Sequence, residues 1–280
     1  MYLKHFALKR KPFTPLPDHR ELFQTRGHQE LRARLQLSIE DRDPSLVVGD
    51  SGVGKSTSVR SVLTTLEKRS YHLIELADPR LKLRSFYRTL ALGLGLTPAY
   101  FFGDLAEQVR VALAQLAEKA DRAEKGDKSE CAGHPILVVD EAQMLTEEML
   151  DSLRLLTNPL LGQSKPGITL LLVGDMSLSR KLKKPYFESF VQRLRMTYRM
   201  PAVEEDEARR YVAHRLRTAG GNPDIFDPAA VEAAVAEANG RLRKIDDLCC
   251  QALYAAFIAK AAVVTKEHVQ AVIAERSLGG

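Results

Sequence analysis

The most informative segment of the chain reads Gly49-Asp50-Ser51-Gly52-Val53-Gly54-Lys55-Ser56 and fits the pattern GxxxxGK[ST]. The apolar residues Leu46-Val47-Val48 precede it, and a helical run follows it. Glycines in such a loop allow a turn whose backbone N–H groups face phosphate oxygens at the positive end of the next helix. The segment, called the P-loop below, therefore predicts a binding site for a nucleoside triphosphate.

Two side chains of the P-loop have specific roles in this prediction. Lys55 would reach the β- and γ-phosphates as a point charge, and the Ser56 hydroxyl would complete the coordination shell of Mg²⁺. The predicted nucleotide site comprises the loop and the residue after it, namely Gly49, Asp50, Ser51, Gly52, Val53, Gly54, Lys55, Ser56 and Thr57.

A second chemical landmark is the segment Ile136-Leu137-Val138-Val139-Asp140-Glu141. Four apolar residues followed by two acids are typical of a buried parallel strand that delivers carboxylates at its carboxyl end. Asp140 is the predicted Mg²⁺ ligand, and Glu141 is the predicted catalytic base for the attacking water. The apolar run 168–173 predicts another core strand. Asp175 follows it, and either contacts the γ-phosphate or the attacking water, or caps the next helix.

The overall composition limits the class of protein. The 280 residues allow one α/β domain and a smaller one, and the hydrophobic content of 45% is ordinary for a globular protein. A formal charge of +5 is a mild bias that is compatible with a nucleic-acid partner. Cys131, Cys249 and Cys250 match neither a disulfide framework nor a metal site, which favours a reducing cytoplasm. No signal peptide or membrane span is predicted.

Composition also predicts three regions. Residues 1–27 form a proline-containing, loop-rich arm, because Pro12, Pro15 and Pro17 interrupt any helix. The apolar residues of the arm either attach it to the domain or line the adenine ring, and Phe13 is the candidate for the second role. Residues 28–200 contain the predicted α/β core. From residue 201 the chain is rich in alanine and charge with helical periodicity, and residues 201–280 predict a small helical bundle.

Two clusters of cations have alternative interpretations. The first lies at a strand-to-helix connection and is either a solvated edge or a ligand contact; it comprises Arg80, Lys82, Arg84 and Arg88. The second lies in residues 177–200, where an arginine after a short helix is a candidate finger for a neighbouring subunit's nucleotide. It comprises Arg180, Lys181, Lys183, Lys184, Arg193, Arg195 and Arg199, each of which is by default a surface residue.

In combination, these features resemble the AAA+ ATPases, and more narrowly the ExeA-type group and the TnsC/TniB-type transposition ATPases. The opening pattern is Tyr2…His5-Phe6-Ala7-Leu8…Pro12-Phe13…Pro17-Asp18…Leu22-Phe23…His28. The other matching segments are Asp140-Glu141-Ala142-Gln143, Leu172-Val173-Gly174, Gln192-Arg193-Leu194 and Gly240…Arg243-Lys244-Ile245-Asp246. They are similar to the group's Walker B, sensor-1, finger and sensor-2 segments.

The resemblance implies an α/β P-loop NTPase fold, with a parallel sheet, flanking helices and a small C-terminal helical lid domain. It also implies ATP and Mg²⁺ as cofactors, and an N-terminal arm near the nucleotide, to which Phe13 and His28 are assigned. Arg193 would act in trans as the finger, with Arg195 as the alternative, and Arg243 in cis as sensor 2. The residues expected to face a DNA-binding channel are Arg80, Lys82, Arg84 and, at the turn after Phe102, Gly103.

The resemblance further implies a homo-oligomer, as a ring or helical filament, on duplex DNA bound without sequence preference. Because the sequence ends at Gly280 without a membrane span or wall-binding domain, we expect a transposition regulator that recruits a transposase with a target selector. The alternative is an ExeA-type ATPase that acts on a protein complex in secretion. Two positions depart from the group: Asp175 replaces an amide or hydroxyl, and Asp246 stands where asparagine is common.

Overall fold

A computed structural model of the chain describes residues 1–14, 21–67, 70–76, 78–124, 133–158 and 165–277. Of the residues discussed above, Pro15, Pro17, Asp18, Cys131 and Gly280 lie outside this part of the chain. Within the described residues, no helix combines the length and hydrophobicity needed to cross a bilayer.

The central element is a sheet of five parallel strands in the order β2-β3-β4-β1-β5. The strands are β1 (Ser45–Val48), β2 (Tyr71–Glu75), β3 (His134–Val139), β4 (Thr169–Gly174) and β5 (Met196–Arg199). Every residue of β1, β3 and β4 is buried, as expected for parallel strands covered on both faces. The predicted α/β class with a parallel sheet is confirmed.

Helices connect the strands and continue after the last one. The first part of the chain contains α1 (Tyr2–His5), α2 (Arg26–Glu40), α3 (Lys55–Leu63), α4 (Leu83–Gly93) and α5 (Phe102–Glu124). Between β3 and β5 lie α6 (Glu147–Leu156), α7 (Met176–Leu182) and α8 (Glu188–Val191). The C-terminal part contains α9 (Glu205–Thr218), α10 (Pro228–Ala238), α11 (Leu242–Ile258) and α12 (Lys266–Ser277).

The contacts divide the chain into two compact units. The α/β unit comprises Leu31–Gly49 and Ser58–Arg199, and its core is formed by the apolar strand residues together with Phe86, Phe187 and Phe190. The helical unit comprises Met1–Glu30, Asp50–Thr57 and Met200–Gly280. The P-loop residues Asp50–Thr57 are therefore grouped with the C-terminal helices. The domain boundaries predicted from the sequence, at residues 27 and 200, remain predictions.

The N-terminal arm is part of the core of the helical unit. Phe6, Leu8 and Phe13 are buried there, and the ring of Phe13 lies 5.9 Å from that of Phe226 in an edge-on arrangement. The Lys9 N–H donates to the Ala219 carbonyl at 2.9 Å. The short helix α1 was not predicted, because four residues are too few to show a helical period.

One buried histidine in the α/β unit leads to a prediction about stability. His134 begins β3, and its Nε2 lies 2.9 Å from the Thr169 hydroxyl. Burial, with smaller contributions from Arg42 and Lys165, lowers the pKa of His134 to about 3. The unfolded chain, with a histidine pKa of about 6.5, therefore takes up a proton below pH 6.5 that the folded protein does not bind.

We expect this difference to make the protein sensitive to acid. Above pH 6.5, His134 is neutral in both states and does not lower the free energy of unfolding. Protonation of the unfolded chain then lowers the free energy of unfolding by roughly 2 kcal/mol as the pH falls to 5. Denaturant titrations at both pH values measure this loss, and His134→Gln should reduce it. His72→Gln, at an exposed position on β2, is the matched control. An equal loss in wild type and His134→Gln would contradict the expectation.

Candidate active site

The P-loop has the backbone that a phosphate cradle requires. It follows β1, and its last residues begin α3. Gly52 and Gly54 have φ angles of +84° and +101°, a region that side chains other than hydrogen rarely allow. The Lys55 Nζ donates to the Asp50 carbonyl at 2.9 Å, so the lysine folds over the loop. Glycines with positive φ, a helix start and this lysine fit a bound nucleotide phosphate.

The start of α11 contacts the P-loop within the helical unit. The Arg243 N–H donates to the Gly52 carbonyl at 3.1 Å. A Cβ added to Gly52 would lie 3.3 Å from the Arg243 Cβ and 3.7 Å from the Arg241 Cβ, so a side chain at Gly52 would crowd both arginines. The structure thus brings the predicted Arg243 to the loop. It also brings Arg241, which the sequence analysis missed although Gly240-Arg241-Leu242-Arg243 contains a second arginine.

A buried polar cluster holds α11 in place. The Tyr211 hydroxyl on α9 donates to Asp246 at 2.8 Å, and the Arg215 guanidinium lies 3.5 Å from the same carboxylate. Burial raises the pKa of Asp246 to about 6, an effect that Arg215 opposes. Asp246 therefore joins α9 to the helix that carries Arg243, which explains why an acid is accommodated where the group often has asparagine.

The two predicted acids follow β3 at the carboxyl edge of the sheet. The Glu141 N–H donates to the Asp140 carboxylate at 2.9 Å. Glu141 has φ 52° and ψ 36°, a left-handed conformation that costs a residue with a side chain about 1–2 kcal/mol. The carboxylate of Glu141 accepts a hydrogen bond from the Gln143 amide at 2.5 Å. Gln143 appeared in the sequence analysis only as part of a motif.

Asp175 lies at the tip of β4, and caps α7. Its carboxylate accepts from the Ser177 N–H at 2.7 Å and from the Ser177 hydroxyl at 2.5 Å. This geometry favours the capping alternative. A contact between Asp175 and the γ-phosphate remains a prediction.

Both finger candidates lie at the amino edge of the sheet. Because Ser45 is paired with Met196, the residues before β5 lie beside the start of β1, at the edge opposite to Asp140 and Glu141. The Arg195 side chain is 75% exposed and its Nε lies 4.0 Å from Asp43, whereas Arg193 is half-buried. An arginine at this edge is distant from the acids of its own sheet, as a residue acting on a neighbouring subunit would be.

The two arm residues assigned to the nucleotide have structural contacts of their own. Phe13 lies in the core of the helical unit, which favours the interpretation that the arm is attached by its apolar residues. His28 is buried in the first turn of α2, and its N–H donates to the Thr25 hydroxyl at 3.1 Å. Contacts of Phe13 and His28 with a nucleotide remain predictions.

The predicted DNA-binding residues gather around the starts of α4 and α5. The Arg84 guanidinium donates to the Tyr100 carbonyl at 2.7 Å and lies 5.5 Å from the centre of the Tyr100 ring. Arg80 is bonded to Asp78 at 3.1 Å, and Lys82 precedes α4 and is exposed. Gly103, in the first turn of α5, is exposed, and a Cβ added there would meet no atom within 4 Å.

An aromatic turn lies on this surface, of which the sequence analysis named Phe102 and Gly103 but not Tyr100 and Phe101. Tyr100 and Phe101 are 78% and 68% exposed, and Phe102 is 40% exposed. The side chain of Gln108 binds the Thr97 carbonyl at 2.9 Å and the Ala99 N–H at 3.1 Å, and so fixes the loop that leads to the turn. Three successive aromatic residues in the sequence were a signal that could have identified it.

Comparison with known proteins supports the assignment of the fold and class. A family model described as AAA domain matches residues 39–182, which is more than half of the chain. The chain belongs to the AAA family. The ATPase class expected from the resemblance is thereby confirmed, and members of this family generally bind nucleotide with Mg²⁺.

One curated protein is similar in sequence to most of this AAA chain. It is the General secretion pathway protein A of Aeromonas hydrophila, which is 29% identical over 258 residues. The match covers 92% of this chain but only 45% of the relative, so the chain spans less than half of that protein's length.

Solved structures with the same AAA fold include proteins whose sequences are more distant. Cdc6p from Pyrobaculum aerophilum has a TM-score of 0.67 at 13% identity, with 90% of this chain and 67% of that chain covered. The Aeropyrum pernix ORC1 protein, solved in complex with DNA, has a TM-score of 0.65 at 22% identity, with 95% and 69% covered. The Thermotoga maritima RuvB Holliday junction branch migration motor has a TM-score of 0.54 at 13% identity, with 93% and 72% covered. At these identities the similarity concerns the fold.

Proposed function

We propose that this AAA protein is an ATP-dependent switch that assembles on duplex DNA in the bacterial cytoplasm and regulates transposition. In this proposal the ATP-bound form oligomerises as a ring or filament without sequence preference and recruits a transposase with its target selector. Hydrolysis then disassembles it. The observation that carries the DNA part is the Arg84–Tyr100 bond, which joins the basic segment at α4 to the aromatic turn at α5.

The nucleotide would be bound by groups whose geometry fits phosphate. Lys55 and the N–H groups of the P-loop would hold the phosphates, and Ser56 and Asp140 would hold Mg²⁺. When bound, ATP would supply the phosphoryl group, and Mg²⁺ would neutralise part of the phosphate charge. Glu141 would accept a proton from the attacking water as a catalytic base. Arg243 would act on the nucleotide of its own subunit, and Arg193 or Arg195 on that of a neighbour.

The surface at α4 and α5 has the chemistry of a backbone-tracking DNA site. Arg80, Lys82 and Arg84 are exposed cations on a short stretch of chain, and cations on one surface bind phosphates irrespective of sequence. The exposed Tyr100 and Phe101 add flat apolar rings beside them. The Aeropyrum pernix ORC1 protein, which shares this fold, was solved in complex with DNA, and this agrees with such a use.

The sequence similarity to the Aeromonas hydrophila protein favours a second candidate function. General secretion pathway protein A suggests an ATPase that acts on a protein complex in secretion. In that case the aromatic turn would contact protein, and DNA would have no effect on the ATPase. Electron microscopy with an ATP analogue, with and without duplex DNA at low salt, distinguishes the two functions. Ordered assemblies that require DNA support the first, and assembly or turnover indifferent to DNA supports the second.

The basic segment provides a direct test of the DNA surface. We expect Arg80→Ala with Lys82→Ala to weaken duplex binding about tenfold or more at low salt, and to reduce the slope of log K against log salt by about 2. ATP affinity should not change, because neither side chain lies in the P-loop. Fluorescence anisotropy over a salt series measures both quantities.

The matched control removes the same charge elsewhere. Arg210 and Arg217 are exposed on α9, and their double alanine variant should retain DNA affinity within about twofold. If the α4 variant binds DNA as tightly as the wild type, the DNA surface is assigned to the wrong residues. If both variants lose DNA affinity equally, the affinity depends on the net charge of the protein and not on the surface at α4.

A further inference from the structure

One side-chain amide joins the two neighbouring strand ends at the carboxyl edge of the α/β unit. The Gln143 Nε2 donates to the Glu141 Oε2 at 2.5 Å. The Gln143 Oε1 accepts from the Asp175 N–H at 3.1 Å. Glu141, which follows β3, is therefore connected to the tip of β4 through the side chain of Gln143. This contact uses both functional groups of the amide, one as donor and one as acceptor.

The backbone around Gln143 is held independently of this contact. The Lys181 Nζ on α7 donates to the carbonyls of Gln143 and Leu145, each at 2.7 Å. Through these two hydrogen bonds the Lys181 ammonium closes the turn after β3. The turn is thus attached to the helix that begins directly after Asp175.

The tip of β4 leaves space for the amide. A Cβ added to Gly174 would lie 2.8 Å from the Gln143 Oε1 and 2.7 Å from the Leu178 Cδ2. Any other residue at this position would push Gln143 away from the strand end. Glycine at position 174 is therefore explained by close packing against Gln143 and Leu178, and not by a left-handed backbone conformation.

Glutamate is a poor choice for a directed base unless something fixes its side chain. Its rotatable bonds give it rotamer entropy of roughly 1.5–2 kcal/mol when unrestrained. Glu141 also leaves β3 in a left-handed conformation, so its direction depends on the turn that follows. The Gln143 amide occupies one carboxylate oxygen, and a catalytic base needs only the other one.

We propose that Gln143 is a positioning residue, which orients the Glu141 carboxylate for water activation and couples its orientation to the tip of β4. The proposal rests on the proposed role of Glu141 as the base. Of the two groups that the Gln143 amide contacts, the Glu141 carboxylate is the proposed base and the Asp175 N–H is a backbone group. Gln143 would therefore affect turnover through Glu141. Movement of the β4 tip would change the hydrogen bond at Oε1 and, through the rigid amide, the position of the base.

The test uses Gln143→Met, which keeps the length of the side chain but removes both hydrogen bonds. We expect kcat for ATP to fall about tenfold to a hundredfold, because misplacing a catalytic group by about 1 Å has effects of that size. The dissociation constant for Mg·ATP should stay within about twofold, since no P-loop contact changes. Single-turnover kinetics and equilibrium binding on the full chain measure the two quantities separately.

The decisive comparison is made in the Glu141→Gln background. If Gln143 acts through Glu141, Gln143→Met should lower the residual turnover of Glu141→Gln by less than about twofold. Gln115→Met, at an exposed position on α5, is the matched control and should retain wild-type kcat. Thermal unfolding of each variant shows whether it is folded.

The outcomes separate this inference from the proposed function. Wild-type turnover by Gln143→Met, while Glu141→Gln is inactive, overturns the positioning role and leaves Glu141 as the base. Increased turnover by Gln143→Met also overturns it, because the amide would then restrain the base. Equal losses in the wild-type and Glu141→Gln backgrounds assign Gln143 a structural role. Normal turnover by Glu141→Gln overturns the proposed role of Glu141 as the base, on which the positioning role of Gln143 rests.

Discussion

Replacing Lys55 with alanine is expected to weaken the binding of Mg·ATP at least a hundredfold. Lys55 would supply charge-assisted hydrogen bonds to two phosphates, and the loss of such bonds costs about 1.5–3 kcal/mol each. A total of about 3 kcal/mol corresponds to more than a hundredfold in the dissociation constant. Isothermal titration of the purified chain with ATP or a slowly hydrolysed analogue measures the effect.

The fold should survive this change. Lys55 lies at the first residue of α3, and its Nζ donates a hydrogen bond to the Asp50 carbonyl within the same loop, so the contact described for its ammonium is local. Lys266→Ala on α12 removes the same side chain from an exposed position and should bind ATP as the wild type does. ATP affinity of Lys55→Ala close to that of the control would show that the loop does not hold the nucleotide.

Glu141→Gln is expected to separate binding from hydrolysis. The amide cannot accept the proton of the attacking water, and removal of a catalytic base costs roughly 10²–10⁴-fold in kcat. Binding should remain, because Lys55, Ser56 and Asp140 are unchanged. The variant should therefore accumulate in the ATP-bound, assembled form, which sedimentation with Mg·ATP detects.

A nearby glutamate provides the control for Glu141→Gln. Glu148, exposed in the first turn of α6, has the same chemistry without a predicted role, and Glu148→Gln should hydrolyse ATP normally. Rapid turnover by Glu141→Gln would remove Glu141 from the mechanism. Failure of Glu141→Gln to bind ATP would instead indicate that the carboxylate holds the site together. The contrast with Lys55→Ala is the strongest signature of the proposed mechanism.

Local patterns predicted much of the fold. The buried strands β1, β3 and β4 were evident as apolar runs, because parallel strands covered on both faces need apolar residues at every position. The C-terminal helices followed from helical periodicity, and in the structure the Asp227 carboxylate caps α10 by accepting from the Ala229 N–H at 3.1 Å. The P-loop was readable because its glycines and lysine must occupy fixed positions.

The predictions were weaker where a contact joins segments distant in sequence. The sequence left two roles open for the apolar residues of the arm, and the contact of Phe13 with Phe226, more than two hundred residues away, favours attachment to the helical unit. Asp175 had two possible roles, and its distance to the Ser177 N–H favours the cap. No sequence pattern connected Arg84 with Tyr100, because a guanidinium and a backbone carbonyl have no characteristic spacing.

Periodicity and the two phosphate-site motifs were sufficient to predict an α/β nucleotide-binding protein, since they depend on residues adjacent in the chain, and the resemblance of several further segments implied the AAA class. The orientation of the catalytic groups depends on folding, which brings Arg243 to Gly52 and Gln143 to both Glu141 and the tip of β4. Hydrogen bonds require distances near 3 Å. Arg243 and Gly52 are 191 positions apart and Gln143 and Asp175 are 32 apart, so these pairs reach such distances only when the sheet and helices have assembled.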